Sequence, residues 1–231
     1  LKDGSAAGAG RGVEAALLAA DGFRATPAEL VASPDVADLW ADLGTRWRVL
    51  EQYLKPSPVC RWAQPAVEAA MAVRPRLDPA RIARVRVASF QEAVALAGAA
   101  PADGDAAQYA LAFPVAAALI HGRLGAEEIA GEGLHDPRVL DLAQRIELVA
   151  DERFDARFPA ERWCALSVTM DDGTVLDSGE VTTRGDAAAP LTDAELRAKA
   201  ATLMSRERAD ALAALLLDGH GDQTTAGLWA I

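Results

Sequence analysis

The sequence predicts an α+β protein built around a mixed or antiparallel sheet, and three observations carry that prediction. Hydrophobic residues make up 51% of the chain, and alanine, the strongest helix former, supplies much of that share. Residues 82–89 alternate, with Val85 and Val87 on one face and Arg84 and Arg86 on the other, the two-residue period of a half-exposed strand. A second alternating run, residues 163–170, places Cys164, Leu166, Val168 and Met170 on one side and leads into Asp171-Asp172-Gly173, a hairpin turn signal. The order is helices, strand, helix, strand, helices, hairpin, helices, which fits α+β.

Each element follows from local chemistry. Val13, Leu17, Leu18 and Ala20 outline an alanine-rich amphipathic helix that Asp21-Gly22 stops, glycine supplying the C-terminal turn. Thr26-Pro27 and Ser33-Pro34 open short helical turns, because proline suits the first helical position. Residues 46–54 alternate imperfectly and read as a strand, and residues 63–73 read as a helix. After the strand at 82–89 comes a short helix near 91–96 and a Gly/Pro/Asp loop over 98–105. Tyr109, Phe113, Ala116, Ala117 and Ile120 then fall at helical spacing, closed by Gly122. Pro114 within that run implies a kink or a delayed start. Asp136-Pro137 opens a helix to about Arg145, residues 174–183 return from the hairpin, and Thr192 with Glu195 has the spacing of a capping box. Residues 212–217 lie in a last helix stopped by Asp218-Gly219.

Composition limits the function classes. At 231 residues the chain is one large domain or two small ones with room for a substantial core. A net charge of −11 argues against nucleic-acid and anionic-membrane partners, which demand clustered Lys and Arg. The most apolar windows, 110–120 and 211–217, fall short of the roughly 20 residues that span a bilayer. Two cysteines, Cys60 and Cys164, form no disulfide framework and no CxxC pair, so a reducing cytoplasm is the expected compartment. The chain opens at Leu1 rather than Met, already within a helical pattern, as a fragment, a processed product or one half of a split protein would.

The most informative stretch is Lys55-Pro56-Ser57-Pro58-Val59-Cys60-Arg61. Each proline fixes its own φ and biases the preceding residue toward extended backbone. Lys55 and Arg61 are therefore held with little freedom beside the start of a helix, whose free N–H groups attract anions. A rigid cationic corner in an acidic protein points to a carboxylate or phosphate ligand; the alternative is a proline-rich turn with two surface cations. Cys60 reads either as a general acid or base, since a neighbouring cation favours the thiolate, or as a buried structural thiol. Tyr109 reads either as core packing on an apolar helix face or as a proton donor. His121 reads as a cap at a helix end. His135 and His220 stand in loops without a second ligand at metal spacing. Gly8-Ala9-Gly10-Arg11-Gly12 lacks the preceding strand of a phosphate loop and reads as close helix packing.

Taken together, several segments in order resemble the MmgE/PrpD family, which includes 2-methylcitrate dehydratase, cis-aconitate decarboxylase and iminodisuccinate epimerase. They are Lys2-Asp3-Gly4-Ser5-Ala6, residues 12–19 with Asp21-Gly22-Phe23, the Lys55–Arg61 loop, Ala107-Gln108-Tyr109 ahead of 113–122, and residues 190–196. The resemblance implies a large helical domain, mostly absent here, and a smaller α+β domain. On that reading 1–44 ends the helical domain and connects onward, 45–185 is the α+β domain, and 186–231 is a pair of C-terminal helices packing back on the helical domain. It implies a lyase or isomerase that removes a proton next to a carboxylate of a small di- or tricarboxylic acid, with no metal and no organic cofactor. It also implies a homodimer or a helical partner subunit. Lys55, Cys60 and Tyr109 are the implied catalytic residues, and Lys2 and Arg61 the implied substrate-binding ones. Gln64 stands where the family commonly has His, and Tyr109 where dehydratase-like members tend to have His, which speaks against decarboxylation and methylcitrate dehydration. The alternative is a non-catalytic domain or subunit of such an assembly.

Overall fold

Glycine ends the first helix as expected. In the computed structural model, which describes residues 4–219, α1 (Gly4–Ala20) closes with Gly22 at φ 92° and with the paired bonds Gly22 N–H to Ala19 O and Phe23 N–H to Leu18 O. That is the Schellman arrangement, which satisfies orphan carbonyls. The chain divides into two compact units, residues 1–49 and 50–231. In the first, α1 buries none of its residues, and its glycines are exposed rather than packed against a helix. A short α2 (Glu29–Ala32) follows, and Ser33 caps a 3₁₀ turn over Pro34–Leu39 by accepting from Asp35 N–H. The strand expected over 46–54 does not form. Its side chains are exposed throughout, so no burial rewards an extended ladder, and Arg48–Glu51 coils into a 3₁₀ turn.

The second unit carries the sheet. α3 (Gln64–Val73) leads to β1 (Ile82–Ser89), α4 (Gln91–Val94), α5 (Gly104–Gln108) and α6 (Ala112–His121). Then come α7 (Pro137–Gln144), β2 (Ile146–Ala150), α8 (Glu152–Asp155), β3 (Trp163–Met170), β4 (Val175–Thr182), α9 (Asp193–Leu203) and α10 (Arg206–Leu216). The strand order is β2-β1-β3-β4, with β1 parallel to β2 and the other neighbours antiparallel. The fold is α+β with a mixed sheet. The parallel edge comes from β2, a five-residue strand without clear alternation in burial, which the sequence pattern did not reveal.

β1 and β3 behave as their patterns require. Val85 and Val87 are buried, while Arg84 and Arg86 face Glu147 on β2; Cys164, Leu166, Val168 and Met170 are buried in strict alternation. α3 lies across β3 and β4 and touches α6. α6 is the most buried element, with residues 112–119 all inside. It starts late, at Ala112, with Pro114 in the first turn where the missing N–H costs nothing. Gly122 (φ 69°) ends it. Tyr109 consequently does not share the apolar face of α6: it ends α5 and is 52% exposed. Trp62 meets Phe90 and Phe158 edge-on, and those two rings stack 4.6 Å apart. This aromatic cluster fixes the chain immediately after Arg61.

Candidate functional site

The Lys55–Arg61 loop cannot form regular structure, because its prolines remove backbone donors. It is instead held by side chains and by neighbouring loops. Gln64, completely buried on α3, donates from Nε2 to Ser57 O (2.7 Å) and Val59 O (3.0 Å) and accepts from Ser57 N–H (3.3 Å). Cys60 N–H donates to Gln108 O at 2.6 Å, which brings the end of α5, and with it the Tyr109 backbone, against the loop. Leu54 N–H donates to Gly185 O (2.9 Å), and the Lys199 ammonium on α9 donates to Lys55 O. Four separate segments therefore hold residues 54–61.

Arg61 points inward and is 9% exposed. Its guanidinium stacks 3.8 Å above the Tyr53 ring and pairs with Asp186. Its Nε and Nη1 groups are buried and have no hydrogen-bond partner. A buried donor left unmatched costs about 1–3 kcal/mol, so this arginine is under-satisfied. The surface-cation reading does not describe it. Cys60 is partly buried and packs against the core. Cys164 is wholly buried, and burial pushes its thiol far above the ordinary range, which leaves it inert.

Beside the loop lies a cleft of about 560 Å³, walled by Pro56 and Ser57, by Glu68 of α3, by the 123–128 turn and by Lys199 and Thr202 of α9. Arg184 grips Glu195 through its two terminal guanidinium nitrogens, at 2.5 and 2.9 Å. That grip, with Thr192 donating through its N–H and hydroxyl, holds the Glu195 carboxyl at about 2. Glu68 is pushed up by burial and by the Glu195 charge, against the pull of Arg184. Lys199 is pushed down by burial and by the nearby charge of Lys55. The sequence reading did not single out Lys199, Asp186, Glu68 or Tyr53. The cluster Arg184-Gly185-Asp186 immediately after β4 was the available signal.

The structure thus gathers Lys55, Cys60, Arg61 and the backbone at Tyr109 in one region. Lys2 lies outside the described residues, as does His220. His121 faces Asp136 (Nε2 to Oδ2, 3.3 Å) rather than capping its helix, and His135 is exposed in a 3₁₀ turn. No group of three or more His, Cys, Asp or Glu side chains is placed to hold a metal among the described residues. No described helix is long and apolar enough to cross a membrane.

Comparison with known proteins gives the family. The chain is 42% identical over 78 residues to a protein named 2-methylcitrate dehydratase, mitochondrial, from Yarrowia lipolytica. That match covers 32% of this chain and 14% of the relative. The sequence model of the MmgE/PrpD C-terminal domain matches residues 57–218, beginning within the proline loop and ending in the turn after α10. With most of its length matched, this chain belongs to the MmgE/PrpD family and carries that family's C-terminal domain.

Proposed function

We propose that this chain is the C-terminal part of a dehydratase-like lyase or isomerase. It acts on a small di- or tricarboxylic acid by removing a proton next to a carboxylate, together with a helical domain or helical partner chain. The observation that carries the reading is Arg61: a buried guanidinium with two unmatched donors, on a loop braced from four sides and bearing Lys55. Proton removal next to a carboxylate builds negative charge, and cations fixed in advance stabilise that charge without reorganising. Rigidity of the loop is therefore what such a reaction needs. The kinship with a protein named a dehydratase supports the same class.

In this reading Lys55 faces the developing charge and Arg61 takes a carboxylate, with Asp186 as its partner in the absence of substrate. Cys60 and Tyr109 are the candidate proton carriers on this chain, and Lys2 is a further candidate cation. The protein works as a homodimer or with its helical partner, in a reducing compartment such as the cytoplasm.

The test is a screen of hydroxy di- and tricarboxylates for water loss or epimerisation with the complete protein, helical segment included, followed by Lys55→Ala. Turnover that falls at least a hundredfold in Lys55→Ala supports the reading, a loss in keeping with a lost transition-state contact of about 2.7 kcal/mol or more. Unchanged turnover in that variant removes Lys55 from the chemistry. Absence of any turnover leaves a non-catalytic subunit.

A further inference from the structure

Lys199 sits on α9 four residues after Glu195, the spacing at which a helix normally pairs a carboxylate with an ammonium. That pairing is absent. Both Glu195 oxygens are committed, Oε1 and Oε2 to Arg184 and Oε2 also to the Thr192 N–H and hydroxyl of the capping box. The other acids of the cleft are also engaged or remote. Glu128 accepts from Arg123 (2.6 Å) and from Gly125 N–H (2.7 Å). Glu127 pairs with Arg123 at 3.0 Å, and Glu68 makes no ion pair with Lys199. Burial raises the Glu68 carboxyl above its ordinary range.

The Lys199 ammonium thus has a backbone carbonyl, that of Lys55, and no carboxylate partner among the described residues. It also lies close enough to the Lys55 ammonium for the two charges to repel. A fold that sets an ammonium group in the wall of an open cleft, and diverts the carboxylate one turn back to another partner, leaves that charge for an external anion. The cleft supplies the space, with Ser57 and Thr202 lining it beside Lys199.

We propose that Lys199 is an additional cation of the Lys55 site, gripping a distal carboxylate of a di- or tricarboxylate whose reacting end lies at Lys55. The assignment rests on the proposed function and narrows it: the substrate class carries at least two carboxylates, and Lys199 selects for the one away from the reacting carbon. Lys199 is a binding residue, distinct from the groups that move the proton.

The test uses the complete protein and NMR titration with three probes: propane-1,2,3-tricarboxylate, butyrate and inorganic phosphate. Lys199→Met should weaken the tricarboxylate about tenfold or more, the scale of one lost charged hydrogen bond. It should leave butyrate within about twofold, while Lys199→Arg keeps most of the tricarboxylate affinity. Equal losses for tricarboxylate and butyrate would reduce Lys199 to an anchor for the Lys55 loop and overturn the proposal. Loss of neither would overturn it too, as would wild-type protein that prefers phosphate to the tricarboxylate or binds no tricarboxylate. Tricarboxylate binding that depends on Lys199 in a protein without turnover would keep this assignment and remove the lyase reading. Turnover lost in Lys55→Ala but untouched, in rate and KM, in Lys199→Met would do the reverse.

Discussion

Gln64 shows how much one side chain can determine. It is uncharged, wholly buried, and supplies the hydrogen bonds that the two prolines of the loop cannot make for themselves. Gln64→Ala should destabilise the protein by about 2–4 kcal/mol, from a cavity plus stranded backbone groups. It should also reduce carboxylate binding by freeing Lys55 and Arg61; chemical denaturation and titration of the variant check both. From sequence, Gln64 was visible only as a departure from the family's histidine; its role required the geometry. Asp136 offers a second residue-level test. Arg138 beside it, with the backbone N–H it caps and the facing His121, holds its carboxyl at about 2 against an ordinary 3.8. The unfolded chain takes up that proton first as pH falls, so the stabilisation is complete above the ordinary value and is lost between 3.8 and about 2. Asp136→Asn, which keeps the cap, should flatten that stretch of the stability-against-pH curve in acid denaturation.

Elements were legible where a single periodicity governed them. α1, α3, β1, α7, the β3–β4 hairpin and the capping box of α9 all follow from spacing, caps and turn residues, and in β3 burial repeats with the pattern as well. The failures share a cause. β2 is too short and too evenly half-buried to alternate, and the exposed 46–54 segment had alternation without a partner strand. Tyr109 fitted the helical spacing of α6, but Pro114 set the start of that helix. Gly185 tests an element boundary. At φ 89° it accepts from Leu54 N–H, and a Cβ there would lie 1.9 Å from Leu54 O. Gly185→Ala should therefore break that pairing, cost more than about 2 kcal/mol, and disturb Asp186 and hence Arg61. A lower melting temperature together with weaker tricarboxylate binding is the expected result. Thr192→Ala, by contrast, should cost only about 1 kcal/mol of stability, the usual worth of a helix cap, measurable by denaturant unfolding.

At the scale of the whole molecule, the core was largely foreseeable and the site only in part. The apolar faces of β1, β3 and α6 announce themselves, and Leu119→Ala within α6 should cost about 2–5 kcal/mol. The site is assembled from residues 53–64, 108–109, 184–186 and 195–199, and no local pattern connects segments so far apart. Only the Lys55 loop, stiff by composition, stood out beforehand. One further feature concerns how this chain meets other copies of itself. The hairpin's outer strand, β4, is interrupted at its centre: pairing with β3 shifts register between Ala165 and Ser167, and Gly179 turns to φ 69°. Ser178 takes the Leu166 N–H on its side chain, and Arg76 occupies the Asp177 carbonyl. A straight run of open donors and acceptors is what lets a sheet recruit a foreign strand. The bulge divides that run into two pieces, the kind of irregularity that opposes strand addition at a sheet edge.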